Sequence, residues 1–274
     1  MSARPPGNLP FLFREIAKNE VALACGVSPE ESAGLLTGRP AQEALKPFAT
    51  VAVLAGGAPT LPGFLALVKS QYREGSYPFP RVITPSPEVA DSLQLQELRE
   101  YLIVYDFVET ERQVMMCLKR KKPSRASDVE LAPATFADLD AGFRDKFVTA
   151  MREARHYAEE FRQPAFTATV EEPGFELVLA RRDNEPAGLL ATFRHDLEYR
   201  LQTLFVAPEH RGHRVGETLV SEFFERAQQA GSMFVSSVIA AGSNFFFYLG
   251  RFNFEPALKF SVWTPPAPDF FKDA

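Results

Sequence analysis

The chain reads Leu204-Phe205-Val206-Ala207-Pro208-Glu209-His210-Arg211-Gly212-His213-Arg214-Val215-Gly216 between a strand pattern and a helix pattern. The apolar run that leads into it, Leu201–Val206, has the length of a strand. The segment that follows, from about Glu217 to Gln229, predicts a helix with an apolar stripe of Leu219, Val220, Phe223, Phe224 and Ala227. The first turn of a helix has unpaired N–H groups and positive partial charge, so this arrangement suits an anion.

The residues of this loop fit a phosphate ligand. Gly212 and Gly216 let the backbone approach a diphosphate, and Arg211 and Arg214 supply charges that pair with phosphate oxygens. A strand-to-helix turn with surface arginines is the alternative for a loop with two glycines. The patterns G-x-x-x-x-G-K-[ST], G-x-G-x-x-G and G-x-S-x-G are all absent, which disfavours P-loop, dinucleotide-binding and hydrolase sites.

Composition excludes several other classes of protein. The 274 residues are enough for one large domain or two ordinary ones, and 46% hydrophobic with 24% charged residues is typical of globular chains. A net charge of -5 argues against a nucleic-acid partner. Two cysteines, Cys25 and Cys117, exclude a disulfide framework, and no metal site is expected. No membrane-spanning run and no signal peptide are visible, so we expect a cytoplasmic protein.

The first half of the chain alternates predicted helices and strands. Helix signals begin at Ser28-Pro29, Pro62 and Ser86-Pro87, the last predicting a helix to about Tyr101. Strands are predicted at Thr50–Ala55, Arg81–Thr84, Leu102–Tyr105 and Glu111–Leu118. The basic tract Lys119–Ser127 is interpreted as the junction between two domains, with a nucleic-acid-binding arm as the minor alternative.

The second half has a more regular pattern. Strands are predicted at Val129–Leu131, Phe175–Ala180, Ala187–Phe193, Leu201–Val206, Met233–Ala240 and Ala257–Thr264. Thr135 and Asp138 predict a capped helix start, and a short helix is expected near Asn244–Leu249. The late cluster of phenylalanines fits a core or the lining of an apolar pocket.

The loop resembles the acyl-CoA-binding motif of the GNAT N-acetyltransferase superfamily. In that motif a strand and a proline lead into [RQ]-x-x-G-x-[GA] and a helix; Arg211 takes the first position and Gly216 the last, while Arg214 replaces the middle glycine. Asn244, Phe247-Tyr248 and Phe252–Glu255 are similar to the family's N-x-x-A…FY…GF segment. The order of elements over 127–264 is also the family's order.

The resemblance implies a mixed α/β fold for residues 126–274, with a mostly antiparallel central sheet flanked by helices. Acetyl-CoA would lie in a cleft where Leu201–Val206 splays from Met233–Ala240, and the N–H of Phe205 would stabilise the oxyanion. The implied coenzyme-binding residues are Leu204, Phe205, Val206, Arg211, Gly212, His213, Arg214, Val215, Gly216 and Asn244.

The resemblance also implies two catalytic groups. Tyr248 is the candidate acid for the departing thiolate, although Leu249 takes the matching place in the spacing, and a packed core aromatic is the alternative. Glu198 is the candidate base, and Asp196 and His195 are further candidates; a charge exposed at a turn is the alternative for each.

Residues 1–125 are interpreted as a degenerate GNAT-like accessory domain, which makes the chain a tandem protein. The loop Gly56–Pro62 lacks arginine and carries two prolines, which remove N–H donors that a diphosphate needs. An unrelated α/β accessory domain is the alternative.

The sequence therefore predicts an N-acetyltransferase that moves an acetyl group from acetyl-CoA to a primary amine by direct attack. The acceptor is a small-molecule, peptide or protein amine, and no oligomeric state is indicated. A CoA-sensing or protein-binding pseudoenzyme is the alternative, and binding of a nucleotide phosphate is disfavoured because the loop lacks a lysine and a hydroxyl.

Overall fold

A computed structural model of the chain describes residues 8–25, 30–32, 34–38, 50–54, 63–64, 81–117, 123–155, 174–241 and 243–264. The chain divides into two compact units, one of Met1–Gln113 with Ala257–Ala274 and the other of Val114–Pro256. The last strand is thus grouped mainly with the N-terminal part of the chain. The domain boundary between residues 125 and 126 stays a prediction.

The first unit is built on a mixed sheet. Its elements are α1 (Leu9–Cys25), β1 (Glu30–Ser32), β2 (Leu35–Gly38), β3 (Thr50–Val53), β4 (Arg81–Pro85), α2 (Leu93–Val104), most of β5 (Val108–Cys117) and most of β11 (Glu255–Thr264). The strands lie in the order β1-β2-β3-β4-β11-β5, with β3 parallel to β4 and β4 antiparallel to β11. Leu95, Leu98 and Leu102 of α2 are buried in a core that also contains Trp263, whose Nε1 donates to Thr84 Oγ1 at 2.9 Å.

Three predictions for this unit are wrong. Residues Glu30–Ser32 form a strand because they pair with β2, and this pairing overrides the helix signal before them. The helix predicted from Ser86 begins only at Leu93, where Ser92 caps it by accepting from Leu95 N at 3.3 Å. Residues 102–104 continue that helix, since Leu102 extends its buried stripe. Most of the predicted helix at 62–72, and the loop Gly56–Pro62, lie outside the described residues.

The second unit contains the loop on which the sequence analysis rests. Its elements are β6 (Glu130–Ala134), α3 (Ala141–Arg155), β7 (Phe175–Arg182), β8 (Glu185–His195), β9 (Glu198–Val206), α4 (Val215–Gln229), β10 (Phe234–Ala240) and α5 (Asn244–Gly250). Strands β6 to β9 pair antiparallel in sequence order, and β10 joins β9 in parallel. This mixed α/β architecture with a mostly antiparallel sheet confirms the predicted fold class.

Each face of this sheet is covered by a different helix. On one face, the apolar stripe of α4 packs against Val178, Leu190 and Leu201. On the other face, Phe143 and Phe147 of α3 pack against the opposite side of the same strands. The predicted cap is present before α3, where Asp138 accepts from Thr135 N at 2.6 Å.

The late phenylalanines are mainly core residues. Phe252 and Phe254 are buried in the cluster formed by α4, and the ring of Phe254 stacks on Phe224 at a centroid distance of 5.9 Å. Cys117 is also buried there, and its Sγ donates to the carbonyl of Phe252 at 3.5 Å. Phe247 is the exception, with 69% of its surface exposed.

Gly188 of β8 lets helix α4 approach the sheet closely. A Cβ at this position would lie 2.9 Å from the carbonyl oxygen of Phe205, 2.9 Å from Val215 Cγ1 and 3.0 Å from Leu219 Cδ1. Val215 and Leu219 are both buried on α4, so the first turns of this helix are held against β8 and β9 by a contact that only glycine permits.

We predict that Gly188→Ala lowers the free energy of unfolding by about 1–3 kcal/mol, because the added methyl group overpacks a buried contact. Denaturant unfolding measures the change. Gly142→Ala is the matched control, since a Cβ there meets only Asp140 Oδ1, at 3.6 Å, and alanine is favoured in a helix. Equal stability of the wild type and Gly188→Ala would contradict the close approach.

Candidate functional site

The loop after β9 exposes its charged residues at the start of α4. A short 3-10 turn, Pro208–His210, follows the strand, and α4 begins at Val215. Arg211, Gly212, His213 and Arg214 are all exposed, and Gly212 has a φ of 84°. The first turn of α4 therefore opens to solvent between basic side chains, which is the environment that an anion requires.

Arg214 stands in the left-handed region of backbone space, with φ 61° and ψ 12°. This is the conformation that glycine adopts without cost, and it accounts for the glycine at this point of the family motif. Arg214 thus keeps the backbone shape of the loop at an energetic cost. Its side chain is held by Ser124, through the carbonyl at 3.2 Å and the hydroxyl, and by Glu217 Oε2 at 3.3 Å from Nε.

Arg211 has a different environment. Its Nε donates to the carbonyl of Val206 at 3.3 Å, which ties the guanidinium to the end of β9. Within the ranges that the structure describes, no carboxylate forms an ion pair with Arg211. Of the two loop arginines, Arg211 is therefore the one whose charge is not already neutralised.

Strands β9 and β10 separate after a short paired segment. The parallel register joins Glu198–Arg200 to Phe234–Ser236, and both strands then continue without further ladder pairs between them. Ser237 Oγ donates to the carbonyl of Leu201 at 3.0 Å, next to the point where the ladder ends. The two strands therefore part after Arg200 and Ser236, in the region where the resemblance implies a splay.

A β-bulge lies at the same point of β9. The register with β8 passes from Ala191↔Thr203 to Thr192↔Leu201, so Gln202 is the extra residue. Because a bulge shifts the alternation by one, Leu201 and Leu204 both face α4, while Phe205 packs against Phe143 on the other face. The bulge therefore re-aims the outer half of β9 where the two strands part.

Tyr248 of α5 lies directly against the start of α4. A Cβ on Gly216 would stand 2.7 Å from the Tyr248 hydroxyl oxygen and 3.5 Å from Val206 Cγ2. The structure thus brings together three residues that the sequence analysis selected. Leu249, which takes the family position by spacing, is fully buried in the core below α4.

The phenol of Tyr248 stays protonated at neutral pH. Burial raises the pKa of Tyr248 to about 12; the nearby charge of Glu217 raises it as well, and that of Arg251 lowers it. The ring is stacked on Phe245 and touches Phe252 at a centroid distance of 5.3 Å. A protonated hydroxyl held in this way can donate a proton or a hydrogen bond.

Glu198 lies in a buried ion pair. Its exposed fraction is 1%; Oε1 is 2.9 Å from Arg200 Nε, Oε2 is 3.0 Å from Arg200 Nη2, and Ser236 Oγ also donates to Oε1. At the turn between β8 and β9, His195 Nδ1 lies 3.4 Å from Asp196 Oδ2, and the carboxylate of Asp196 is exposed. The assignment of Glu198 as base stays a prediction, and its carboxylate is enclosed by Arg200 and Ser236.

The remaining predicted residues are dispersed around the loop. Val215 is buried in the core, so it anchors α4, whereas His213 and the N-terminal residue of α5, Asn244, are exposed. Sequence reasoning missed Glu217 and Arg251, although the spacing of Glu217 three residues after Arg214 on a helix was a visible signal. Among the described residues there is no group of three or more metal-ligating side chains, and no helix is long and apolar enough to cross a membrane.

Comparisons with known proteins agree with this geometry. Residues 139–244 match the model of the Acetyltransferase (GNAT) family, so this part of the chain is similar to a GNAT acetyltransferase domain. No curated protein sequence matches the chain.

Solved structures extend the likeness of fold over most of the chain. A GCN5-related N-acetyltransferase from Kribbella flavida is 14% identical, with a TM-score of 0.60 over 92% of this chain and 95% of its own. A tandem GNAT protein from the clavulanic acid biosynthesis pathway is 14% identical, with a TM-score of 0.53 over 96% of this chain and 88% of its own. A GCN5-related N-acetyltransferase from Sphaerobacter thermophilus is 12% identical, with a TM-score of 0.50 over 96% and 94%.

We predict that Glu198→Ala lowers the free energy of unfolding by about 3–5 kcal/mol, because it leaves the buried guanidinium of Arg200 without its carboxylate. Denaturant unfolding measures the loss. The double variant Glu198→Ala/Arg200→Met should recover much of the stability, since neither charge then remains buried. If Glu198→Ala is as stable as the wild type, the ion pair between Glu198 and Arg200 does not contribute to stability.

Proposed function

We propose that this protein is an acetyl-CoA-dependent N-acetyltransferase that moves the acetyl group to a primary amine by direct attack. The observation that carries the proposal is the position of the Tyr248 hydroxyl, next to Gly216 at the start of α4 and near Val206 at the end of β9. In this proposal, the basic loop, the outer half of β9 and the hydroxyl of Tyr248 act together at one place. The similarity of residues 139–244 to a GNAT acetyltransferase domain supports the same activity.

In this proposal the coenzyme is held by backbone and charge. The diphosphate lies at the first turn of α4, where backbone N–H groups and the guanidinium of Arg211 face it. The pantetheine arm follows the edge of β9 beyond the bulge and pairs with the backbone of Leu204 and Val206. The reactive thioester is thereby directed toward the point where β9 and β10 part.

The chemistry then proceeds without a covalent enzyme intermediate. The lone pair of the acceptor amine attacks the thioester carbonyl carbon, and an oxyanion develops there. The N–H of Phe205 faces β8, as does that of Ala207, which donates to the carbonyl of Ala187, so the sequence-based assignment of Phe205 to the oxyanion does not fit this register. When the C–S bond breaks, Tyr248 donates its proton to the departing thiolate. The proton of the amine passes to a base, for which Glu198 is our candidate; because Arg200 and Ser236 enclose its carboxylate, this role requires the ion pair to open.

The pseudoenzyme alternative rested on Arg214 and on the spacing of Tyr248. Arg214 adopts the left-handed backbone that the family glycine would supply, so the substitution retains the shape of the loop. Leu249 is buried, and it is Tyr248 that reaches α4. Neither departure therefore favours a loss of catalysis. We further propose that residues 1–125 bind no coenzyme and that the protein is cytoplasmic.

We predict that Arg211→Ala weakens the binding of CoA by about ten- to a hundredfold, because a charge-assisted phosphate contact is worth roughly 1.5–3 kcal/mol. Calorimetric titration of the full chain measures the affinity, and we expect one CoA per chain. Arg194→Ala is the matched control; it removes the same charge from an exposed position at the opposite end of β8. An unchanged affinity in Arg211→Ala would remove the diphosphate from this loop.

We predict that Tyr248→Phe lowers turnover by about 10²–10⁴-fold, while the affinity for CoA and the thermal stability change little. The variant keeps the ring that packs on Phe245 and Phe252 and removes only the hydroxyl. Because the pKa of Tyr248 is raised to about 12, the phenol is the proton-bearing form below that pH, and activity should be lost through its ionisation only as the pH approaches 12. Wild-type turnover in Tyr248→Phe would exclude the hydroxyl as the acid.

A further inference from the structure

A carboxylate of the protein itself occupies the basic start of α4. Glu217 is the third residue of the helix, and 27% of its side chain is exposed. Its Oε2 lies 3.3 Å from Arg214 Nε, and its Oε1 lies 3.2 Å from Arg251 Nη2. Each of its two oxygens thus takes one arginine, as the oxygens of a bound phosphate would do.

The position of Glu217 on the helix adds to this effect. A negative charge in the first turn is stabilised by the positive end of the helix dipole, which is the same field that attracts a phosphate. The charge of Glu217 therefore neutralises part of the positive potential that would attract an anion to the N-terminus of α4. A second anion that arrives there meets a smaller positive potential and a like charge nearby.

Glu217 also lies beside the proposed acid. Tyr248 reaches Gly216, the residue that precedes Glu217, and the guanidinium of Arg251 lies 5.8 Å from the centre of the Tyr248 ring. Among the described residues, Arg214, Arg251 and the phenol of Tyr248 are the groups that face this carboxylate. Burial is the main cause of the raised pKa of Tyr248; the charge of Glu217 raises it further, and the charge of Arg251 lowers it.

From these contacts we infer that Glu217 is a positioning residue that limits the affinity for the coenzyme: its carboxylate competes with the diphosphate for Arg214 and for the field at the start of α4. The inference rests on the proposed function, since it concerns the same loop. It goes beyond that function because it predicts an acidic residue that weakens the coenzyme complex and thereby favours release of free CoA.

The loop arginines then have unequal roles. Arg211 has no ion-pair partner among the described residues and is ready for the diphosphate, whereas Arg214 becomes available only when its contacts with Glu217 and Ser124 are shared or given up. Exchange of one ion-pair partner for another at an exposed site involves small free energies. The expected effect is therefore a modest change in affinity, with strong dependence on salt.

The experiment compares the binding of CoA to the full-length wild type and to Glu217→Gln. We expect Glu217→Gln to tighten the binding of CoA by about two- to fivefold at low ionic strength, and the gain to shrink as salt is added, because exposed charges are screened. Dephospho-CoA, which keeps the diphosphate and lacks the 3′-phosphate, should show the same gain. A gain confined to CoA would overturn the assignment of the competition to the diphosphate.

Glu209→Gln is the matched control, because Glu209 is an exposed glutamate on the 3-10 turn before the same loop, where it pairs with Lys146 at 3.0 Å. It changes the net charge by the same amount. If both variants tighten binding equally, the effect comes from net charge and the inference fails. Glu217→Asp keeps the charge and should bind CoA nearly as the wild type does; a gain equal to that of Glu217→Gln would also overturn the inference.

The kinetic consequence separates competition from simple damage to the fold. In Glu217→Gln the KM for acetyl-CoA should fall together with the dissociation constant of CoA, whereas a distorted α4 would raise both. The failure of the inference is distinct from that of the proposed function: a wild type that binds no CoA contradicts the function, and a wild type that binds CoA as tightly as Glu217→Gln does contradicts only the role of Glu217.

Discussion

The ladder between β9 and β10 ends after Arg200 and Ser236, and the rest of the site depends on that end. At this point Glu198, Arg200 and Ser236 form a buried polar cluster. Two residues after Arg200, Gln202 forms a β-bulge in β9. Beyond the bulge, β9 keeps its bonds to β8 but carries no ladder with β10. In the proposed function, an extended ligand pairs with this part of β9 as an added strand would.

The same separation sets the position of α4. Strand β9 leads into the 3-10 turn that precedes α4. Gly188 allows the first turns of α4 to pack closely against β8 and β9. In the proposed function, a diphosphate at the first turn of α4 and an extended arm along β9 lie on one continuous path. Two constraints on backbone, a missing Cβ at Gly188 and a left-handed residue at Arg214, maintain this path.

Much of the second unit could be predicted from the sequence because its signals are local and agree with one another. The alternating strands, the amphipathic α4 and the turns with Asp183, Asn184 and Asn253 at positive φ follow from residue type and spacing. The first unit follows less directly from its sequence, because contacts distant along the chain override local signals. Glu30–Ser32 forms a strand by pairing with β2, and the burial of Leu102 extends α2. Contacts between residues distant in sequence, such as Arg214 with Ser124, have no local signature.

The place of Tyr248 shows how a one-residue difference in spacing can be absorbed. Successive side chains on a helix point about 100° apart. When the residue after Tyr248 points into the core, Tyr248 therefore points to a different side of the helix. Leu249 fills the core, and the hydroxyl of Tyr248 meets the bare backbone of Gly216. The absence of a Cβ at Gly216 thus makes room for the hydroxyl of Tyr248. Because Glu217 comes next in the chain, the proposed coenzyme loop and the proposed proton donor lie beside the same carboxylate. A change in the charge of Glu217 therefore acts on both.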